Sequence, residues 1–427
     1  MNKNDLNNEV SLGRPSEIFS WCLFDFAGQG YPTVITTFVF AAYFAEAVAP
    51  DLLSGTTYWG YTVGIAGLLV AFLSPILGAI ADQTGRRKPW LLAFTLVSII
   101  STALLWFTRP LPDDLLWALT LVALSSASFE VGTVFYNAML PDLVPRTHLG
   151  RVSGWAWGMG YAGGLLCLVV ALLGFVKAEP PPFGLDQDSA EHVRVTAILV
   201  GVWFTLFAIP LFLVVPDKPH TRISLRRAIS KGLKQLFTTA LEIRRHANTA
   251  RFLLARMIYI DGVNTMFVFG GIYAAGTIGM DLDEIILLGI ALNVAAGGGA
   301  VVFAWLDDWI GSKLTILLSL GALIITLGVV LTVQTKTQFW FAALTMSVFF
   351  GPVQAASRTL MARLAPIDMR NEMFGLFAVS GKATAFAGPM LVAWITAITN
   401  NQRLGMAIIL LFLLTGWFLM RSVEEPR

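Results

Sequence analysis

The sequence predicts an all-α polytopic membrane protein in which twelve transmembrane helices form two pseudo-symmetric six-helix bundles. Three observations predict it. Hydrophobic residues make up 56% of the 427-residue chain and charged residues 13%, against roughly 25% charged in soluble domains, so a water-soluble enzyme is excluded. Apolar runs of about 20 residues, enough to cross a bilayer, recur along the whole chain. Short polar motifs recur once in each half, at offsets of 221, 226 and 236 residues.

The apolar runs lie near 18–48, 58–81, 90–108, 115–140, 153–176, 194–215, 252–279, 284–306, 314–334, 337–361, 373–397 and 404–421. They lack the period-two alternation of barrel strands, and in lipid each backbone must bond to itself, so helices are the consistent reading. The predicted organisation is a cytoplasmic tail (1–17), an N-terminal bundle (18–215), a basic linker (216–251), a C-terminal bundle (252–421) and a short tail (422–427). The polar N-terminal segment has no apolar core and reads as no cleaved signal. Most of the 29 Lys and Arg fall on the side of the tails and the even-to-odd loops, which places both termini in the cytoplasm of a multi-pass protein, in the inner membrane of a bacterium. Arg256 and Lys382 lie within spans, and Arg256, near a span end, is expected to snorkel to the headgroups.

The net charge of only +2 gives no electrostatic argument for nucleic acid. Cys22 and Cys167 sit in apolar runs as lipid-facing or core filler, and all four His fall in polar connections. The pattern therefore calls for no metal and no cofactor. The linker stretch SLRRAISKGLKQLFTTALEIRRHA reads as a basic surface helix resting on anionic headgroups, with a calmodulin-like partner site as the alternative. The external KAEPPPFGLDQDSAEH reads as a lid or a plain linker.

The repeats pair Asp82, Gly85 and the following bases Arg86, Arg87 and Lys88 with Asp308, Gly311 and Lys313. They pair NAMLPDLVPRTHLGRVSG with RTLMARLAPIDMRNEMFG, and Asp25 with Asp261. Asp142 then corresponds to Arg363 and Arg151 to Glu372, opposite charges at equivalent positions. One reading has them meet across a pseudo-twofold axis as breakable bridges closing the inner mouth, worth roughly 0 to 1 kcal/mol each. The other makes them charges that complement helix ends.

An ionisable group within a span costs about 2.5 to 3.5 kcal/mol on insertion scales, which makes each one a functional candidate. The candidates are Asp25 and Gln29 in the first span, Glu130 and Asn137 in the fourth, Asp261 and Asn264 in the seventh, Gln354 and Arg358 in the tenth, and Lys382 in the eleventh. Functionally, Glu130 or Asp25 would take and release a proton, Arg358 or Lys382 would attract a carboxylate, and Asp25 or Asp261 an ammonium. Structurally, Asp25 and Asp261 would cap helix breaks at Gly28 and Gly262, and Lys382 would neutralise an acid. The Gly-rich stretches at 158–164, from 293 and at 380–389 read as close helix packing or as exposed backbone along a passage. Trp155, Trp157, Tyr161, Tyr31, Tyr136 and Tyr259 are either stacking surfaces for a solute or ordinary anchors.

Twelve spans, a basic central loop and GAIADQTGRRK between the second and third spans resemble a major facilitator transporter. More narrowly, WCLFDFAGQGYPTVITTFVFAAYF, PILGAIADQTGRRKPWL, YNAMLPDLVPRTHLGRVSGWAWGMGYAGG and GPVQAASRTLMARLAPIDMRNEMFGLFAVSGKATAFAGP resemble the vacuole effluxer-like branch of autophagy-related permeases and their bacterial relatives. The resemblance implies the major facilitator fold, one central cavity and alternating access. For its fungal members it implies amino-acid export from the vacuole. Phe26, Ala27, Gly28 and Gln29 stand where that branch leads one to expect a Trp-Ala-Asn-Ser-like stretch, so no polar contact is carried over there. The expectation is a transporter of a small polar solute, an amino acid or related metabolite, working as a monomer in the lipid bilayer with protons as candidate coupling ions. Uptake of a sugar or small peptide is the alternative within transport. From other classes, a receptor or scaffold would not need the buried charge, and a membrane enzyme would need a catalytic motif such as HExxH or G-x-S-x-G, which the chain lacks.

Overall fold

In the computed structural model, residues 12–217, 219, 221, 223–241 and 246–426 are described. Lys3, Lys218, His220, Arg222, Arg244, Arg245 and Arg427 of the basic and histidine tallies lie outside the described residues. The described residues contain twelve helical spans: span 1 is Pro15–Val48, then Ser54–Thr84, Lys88–Phe107, Pro112–Leu143, Arg146–Val176, Glu191–Val214, Ala247–Gly276, Glu284–Ile310, Ser312–Val330, Lys336–Leu364, Ile367–Thr399 and, as span 12, Gln402–Arg421. Each apolar run of the sequence became one span. Most spans begin earlier than the run because polar residues such as Lys88, Arg146 and Glu191 extend the helix without needing lipid. Ends are closed by side chains: Asp51 accepts from the Ser54 amide (3.0 Å) and Asn401 from the Arg403 amide (2.9 Å).

Three spans are interrupted: span 10 breaks between Ser347 and Phe350, and spans 1 and 11 break where the chemistry later concentrates. Span 1 is α-helical to Gly28 and continues as wider π-helical turns from Tyr31 to Phe38. Span 11 stops at Lys382, unwinds over 383–386, and resumes at Ala387. By contrast span 7 runs unbroken through Gly262, so the expected break there does not exist.

The fold has two six-helix bundles, joined by a linker helix, Leu225–Leu241. Large apolar side chains such as Leu68, Phe72, Leu213, Ile325 and Phe341 stand exposed around the outside. That is the surface a bilayer covers. Cys22 and Cys167 are both buried, as filler.

The bundles meet along two crossings, span 2 against span 11 and span 5 against span 8. Small residues make both possible: a methyl group on Gly78 of span 2 would strike the Asn371 carbonyl of span 11, and one on Gly154 of span 5 the Ala300 carbonyl of span 8. These contacts lie near the face that carries the linker helix and the first and last described residues, here termed the tail face. Toward the opposite face the bundles part. Gly60, Gly64 and Gly67 in the outer part of span 2 have no atom within 4 Å of where a side chain would begin.

Candidate functional site

Contacts between the bundles form three layers, ordered from the tail face inward. In the outermost, Asp82 at the end of span 2 accepts from the amides of Asn371 (3.1 Å) and Glu372 (2.9 Å) and from Asn371 Nδ2 (2.7 Å). These amides belong to the first turn of the Arg370–Lys382 helix, whose positive dipole end and unbonded N–H groups favour a carboxylate. Asp308 at the end of span 8 does the same for span 5, accepting from the amides of Gly150 (2.8 Å) and Arg151 (3.2 Å) and from Arg151 Nε (2.8 Å). The two acids are equivalent by the 226-residue offset, and each caps a helix of the other bundle.

This arrangement corrects the expected gate. Asp142 does not meet Arg363; it is shared by Arg87 of its own bundle and Arg370 of the other. Arg363 turns instead to Asp307 (3.6 Å), Asp308 (3.8 Å) and Glu425. Nor does Arg151 meet Glu372, which accepts from Gln235 of the linker helix (2.6 Å). The reason is geometric: Asp142 and Arg363 are equivalent positions in spans 4 and 10, whereas the axis brings span 2 onto 11 and span 5 onto 8. Arg86 is exposed and joins none of these contacts among the described residues. Removing either cap, Asp82→Ala or Asp308→Ala, is expected to loosen the tail face. The distance between spin labels at Arg146 and Asp368, one on each bundle, should lengthen, while an Asp142/Arg363 charge swap should not restore activity lost by either reversal alone.

A further symmetry was not read from the sequence. Asp217, after span 6, accepts from the amides of Arg87 (3.0 Å) and Lys88 (3.2 Å), capping span 3. Glu425, after span 12, accepts from the amides of Ser312 (2.9 Å) and Lys313 (2.8 Å), capping span 9. Lys88 Nζ reaches the Phe212 carbonyl (3.0 Å), and Lys313 Nζ the Arg421 carbonyl (2.9 Å). The signal was available: Val215 and Asp217 precede Val423 and Glu425 by 208 residues each.

The middle layer is built around Arg358, which is 3% exposed. Its guanidinium bonds Asp25 Oδ2 (2.9 Å), Asn137 Oδ1 (3.3 Å), Ser153 Oγ (2.9 Å) and the Ser153 carbonyl (2.6 Å). The ring of Trp21 lies 5.0 Å from it, with Tyr136 and Trp157 slightly farther. One residue of span 10 thus ties spans 1, 4 and 5 of the other bundle, and its polar groups are used internally. Ser153 and Trp21 were missed because a serine in a helix and a Trp in an apolar run carry no distinguishing pattern.

The inner layer forms the floor of the space between the parted bundles. Lys382 Nζ bonds Glu130 Oε1 at 2.7 Å, and both side chains are 34% exposed. Counting from the tail-face ends of spans 4 and 11, both residues lie roughly 20 Å in, at about 1.5 Å per residue. Lys382 ends a helix, where unbonded carbonyls and the negative dipole end favour a cation. Gln354 of span 10 is half-buried.

Arg256 does not snorkel. It is 9% exposed and turned inward: Nη1 donates to the Phe377 carbonyl (2.7 Å) and Ser380 Oγ (2.6 Å), and the guanidinium stacks 3.5 Å from the Phe377 ring. No carboxylate lies within 4 Å of it among the described residues, so a buried cation stands one turn from Lys382 without an acid of its own. Asp261 Oδ2 accepts from the Gly388 amide (3.2 Å), capping the second half of span 11, while its buried Oδ1 has no hydrogen-bond partner among the described residues. Asp261 thus caps a break, in span 11 rather than at Gly262.

The remaining candidates are not brought into one cluster. Gln29 packs against Gly160 and Gly164 of span 5, and Asn264 is half-buried with no hydrogen bond to these groups among the described residues. Tyr31 bonds Ser125 (2.7 Å) and Tyr136 the Trp21 carbonyl (3.0 Å) inside the N-terminal bundle, and Tyr259 bonds Ser357 (2.6 Å) inside the C-terminal one. Trp155 meets Trp305 edge-on across the interface.

Comparison with known proteins agrees with this architecture. A family model described as "Vacuole effluxer Atg22 like" matches residues 53–427. An uncharacterized MFS-type transporter, YxiO of Bacillus subtilis, is 28% identical over 95% of this chain and 94% of its own. Autophagy-related protein 22 of Kluyveromyces lactis is 24% identical over 86% of this chain and 79% of its own. Among solved structures, the major facilitator transporter FucP in its outward conformation aligns with a TM-score of 0.73 at 13% identity, covering 96% of this chain and 99% of that one. At that identity it speaks for the fold alone. With twelve spans in two symmetric bundles and a family match over most of its length, the chain belongs to the Atg22-like vacuole effluxer family of MFS-type transporters.

Proposed function

We propose that this MFS transporter exports a small zwitterionic solute, an amino acid or a related metabolite, by alternating access, with both termini cytoplasmic, bundles at 18–215 and 252–421, and a monomer as the working unit. The observation that carries the reading is the Lys382–Glu130 bridge: a water-accessible ion pair at mid-depth, with one partner in each bundle. An α-carboxylate can take Lys382, with Arg256 close behind, and the α-ammonium can take Glu130. A single zwitterion then replaces a direct contact between bundles with a bridged one, which is how binding can draw the parted ends together.

The tail-face contacts fit this cycle by their size. Charges at helix N-termini are worth about 0.3 to 1 kcal/mol and partly exposed ion pairs roughly 0 to 1 kcal/mol. Their sum is a few kcal/mol, which the differential affinity of a solute for two states can offset. Glu130, separated from Lys382 when the solute binds between them, is the group we assign to proton exchange. The efflux direction rests on the family description and on no residue contact.

The test is amino-acid flux in proteoliposomes with and without an imposed pH gradient. The reading expects saturable flux that the gradient accelerates and that Glu130→Gln uncouples from it. Flux of equal rate with and without the gradient removes Glu130 as proton carrier; no flux of any amino acid removes the solute class.

A further inference from the structure

The linker helix Leu225–Leu241 presents three faces, and transport by the bundles uses none of them directly. One face is packed: Ala228 is fully buried, and Gly232 sits against the backbone of Ala79 and Ile80 in span 2, so close that a methyl group there would touch it. Gln235 on this face accepts from Gln83 Nε2 (2.5 Å) and donates to Glu372 Oε2 (2.6 Å). Gln83 belongs to the N-terminal bundle and Glu372 to the C-terminal one, and both adjoin the Asp82 cap. Gln235 therefore reaches both bundles across the closed tail face.

The second face is an apolar stripe with nothing over it among the described residues: Ile229, Leu233 and Phe237, each four residues on, are 40%, 44% and 67% exposed. The third carries Arg227, Lys231 and Lys234, with Arg226 one turn from Ile229 at the N-terminal end of the stripe; all four are exposed and none is ion-paired to a described residue. No acidic residue interrupts the helix. An apolar stripe beside a wholly basic face is the pattern of a helix lying in a membrane interface, with its stripe at the acyl boundary and its cations on anionic headgroups. The position agrees: Gly232 packs about one turn inside the end of span 2.

We propose that the linker helix is a lipid-controlled latch: its stripe and basic face dock on the anionic cytoplasmic leaflet, and the docked helix, through Gln235, holds the tail face closed. Opening the tail face separates span 2 from span 11, and Gln235 cannot then reach both Gln83 and Glu372. Docking and closure therefore favour each other, and by linkage anionic lipid raises the population closed on the cytoplasmic side. The docking half stands on the helix alone; the gating half rests on the alternating-access reading.

The test uses the full-length protein in nanodiscs of phosphatidylcholine alone or mixed with phosphatidylglycerol. An environment-sensitive dye is placed on Phe237→Cys, the two native cysteines being buried. Anionic discs should shift the dye emission to the blue and let spin-labelled lipid quench it; high salt or the quadruple variant Arg226→Gln/Arg227→Gln/Lys231→Gln/Lys234→Gln should reverse both. Each basic residue is expected to contribute roughly fivefold to docking. Spin labels at Arg146 and Asp368 should show the short cytoplasmic distance more populated in anionic discs. Gln235→Ala should abolish that lipid dependence while leaving the dye docked. A dye in water in both lipids, as a protein-partner site would give, overturns the proposal, and so does a gate distance indifferent to lipid in the native linker. Loss of solute flux with docking and gate response intact would instead count against the transport reading.

Discussion

Replacing Arg358 with Met is expected to be the most destabilising single change in the chain, by about 3 to 5 kcal/mol, because it leaves Asp25 buried without its counter-charge. The Asp25 carboxylate is 15% exposed and its bond to Arg358 Nη1 is 2.9 Å. The guanidinium also satisfies Asn137 and both Ser153 oxygens, so its loss strands polar groups in two spans of the other bundle. The measurement is thermal unfolding in detergent of Arg358→Met, Asp25→Asn and the double variant. If the pair acts as described, the double variant is less damaged than Arg358→Met, since removing both charges removes the uncompensated one. A double variant as unstable as the sum of the singles would show that the two groups do not act on each other.

The second large effect is on solute handling. Lys382→Met should weaken amino-acid binding roughly 10- to 100-fold, the range expected for losing one charge-assisted hydrogen bond of about 1.5 to 3 kcal/mol. Stability should change much less than for Arg358, because Lys382 and Glu130 are each one-third exposed to water and an exposed ion pair is worth little. Exchanging the two, Glu130→Lys with Lys382→Glu, keeps an ion pair across the interface but reverses its polarity toward a zwitterion. The exchanged protein should fold and still bind poorly. Restored binding would mean that the bridge serves only to hold the bundles.

Much of this architecture is legible in the sequence, because the bilayer imposes its constraints residue by residue. Twelve apolar runs became twelve spans, and the Asp82/Asp308 repeat located the two helix caps that close the tail face. The partners of those acids were not legible. Charge complementarity alone paired Asp142 with Arg363, whereas the symmetry that makes them equivalent also places them on different crossings. Asp142 meets Arg370 instead, a residue of the same repeat whose counterpart, Leu149, carries no charge. Arg256 was misplaced for a related reason: a cation five residues past a basic linker looks like a snorkelling anchor, and only the packing of Phe377 and Ser380 against it turns it inward. The break in span 11 was half-visible as SGKATAFAGP, a run of small residues that equally describes an unbroken packed helix. What separates the readings is Asp261, which supplies a cap for the second half of that span from span 7.

The account stands on the bundles rocking about the Lys382–Glu130 level so that the same floor faces one side and then the other. Pulsed electron-spin distances test this directly, with one label pair on the tail face at Arg146 and Asp368 and a second on the opposite face at Tyr58 and Asn400. Adding the amino acid that most raises the melting point should shift the two distributions in opposite senses, the outer pair shortening as the tail-face pair lengthens. Distributions that stay fixed, or that lengthen or shorten together, would contradict it.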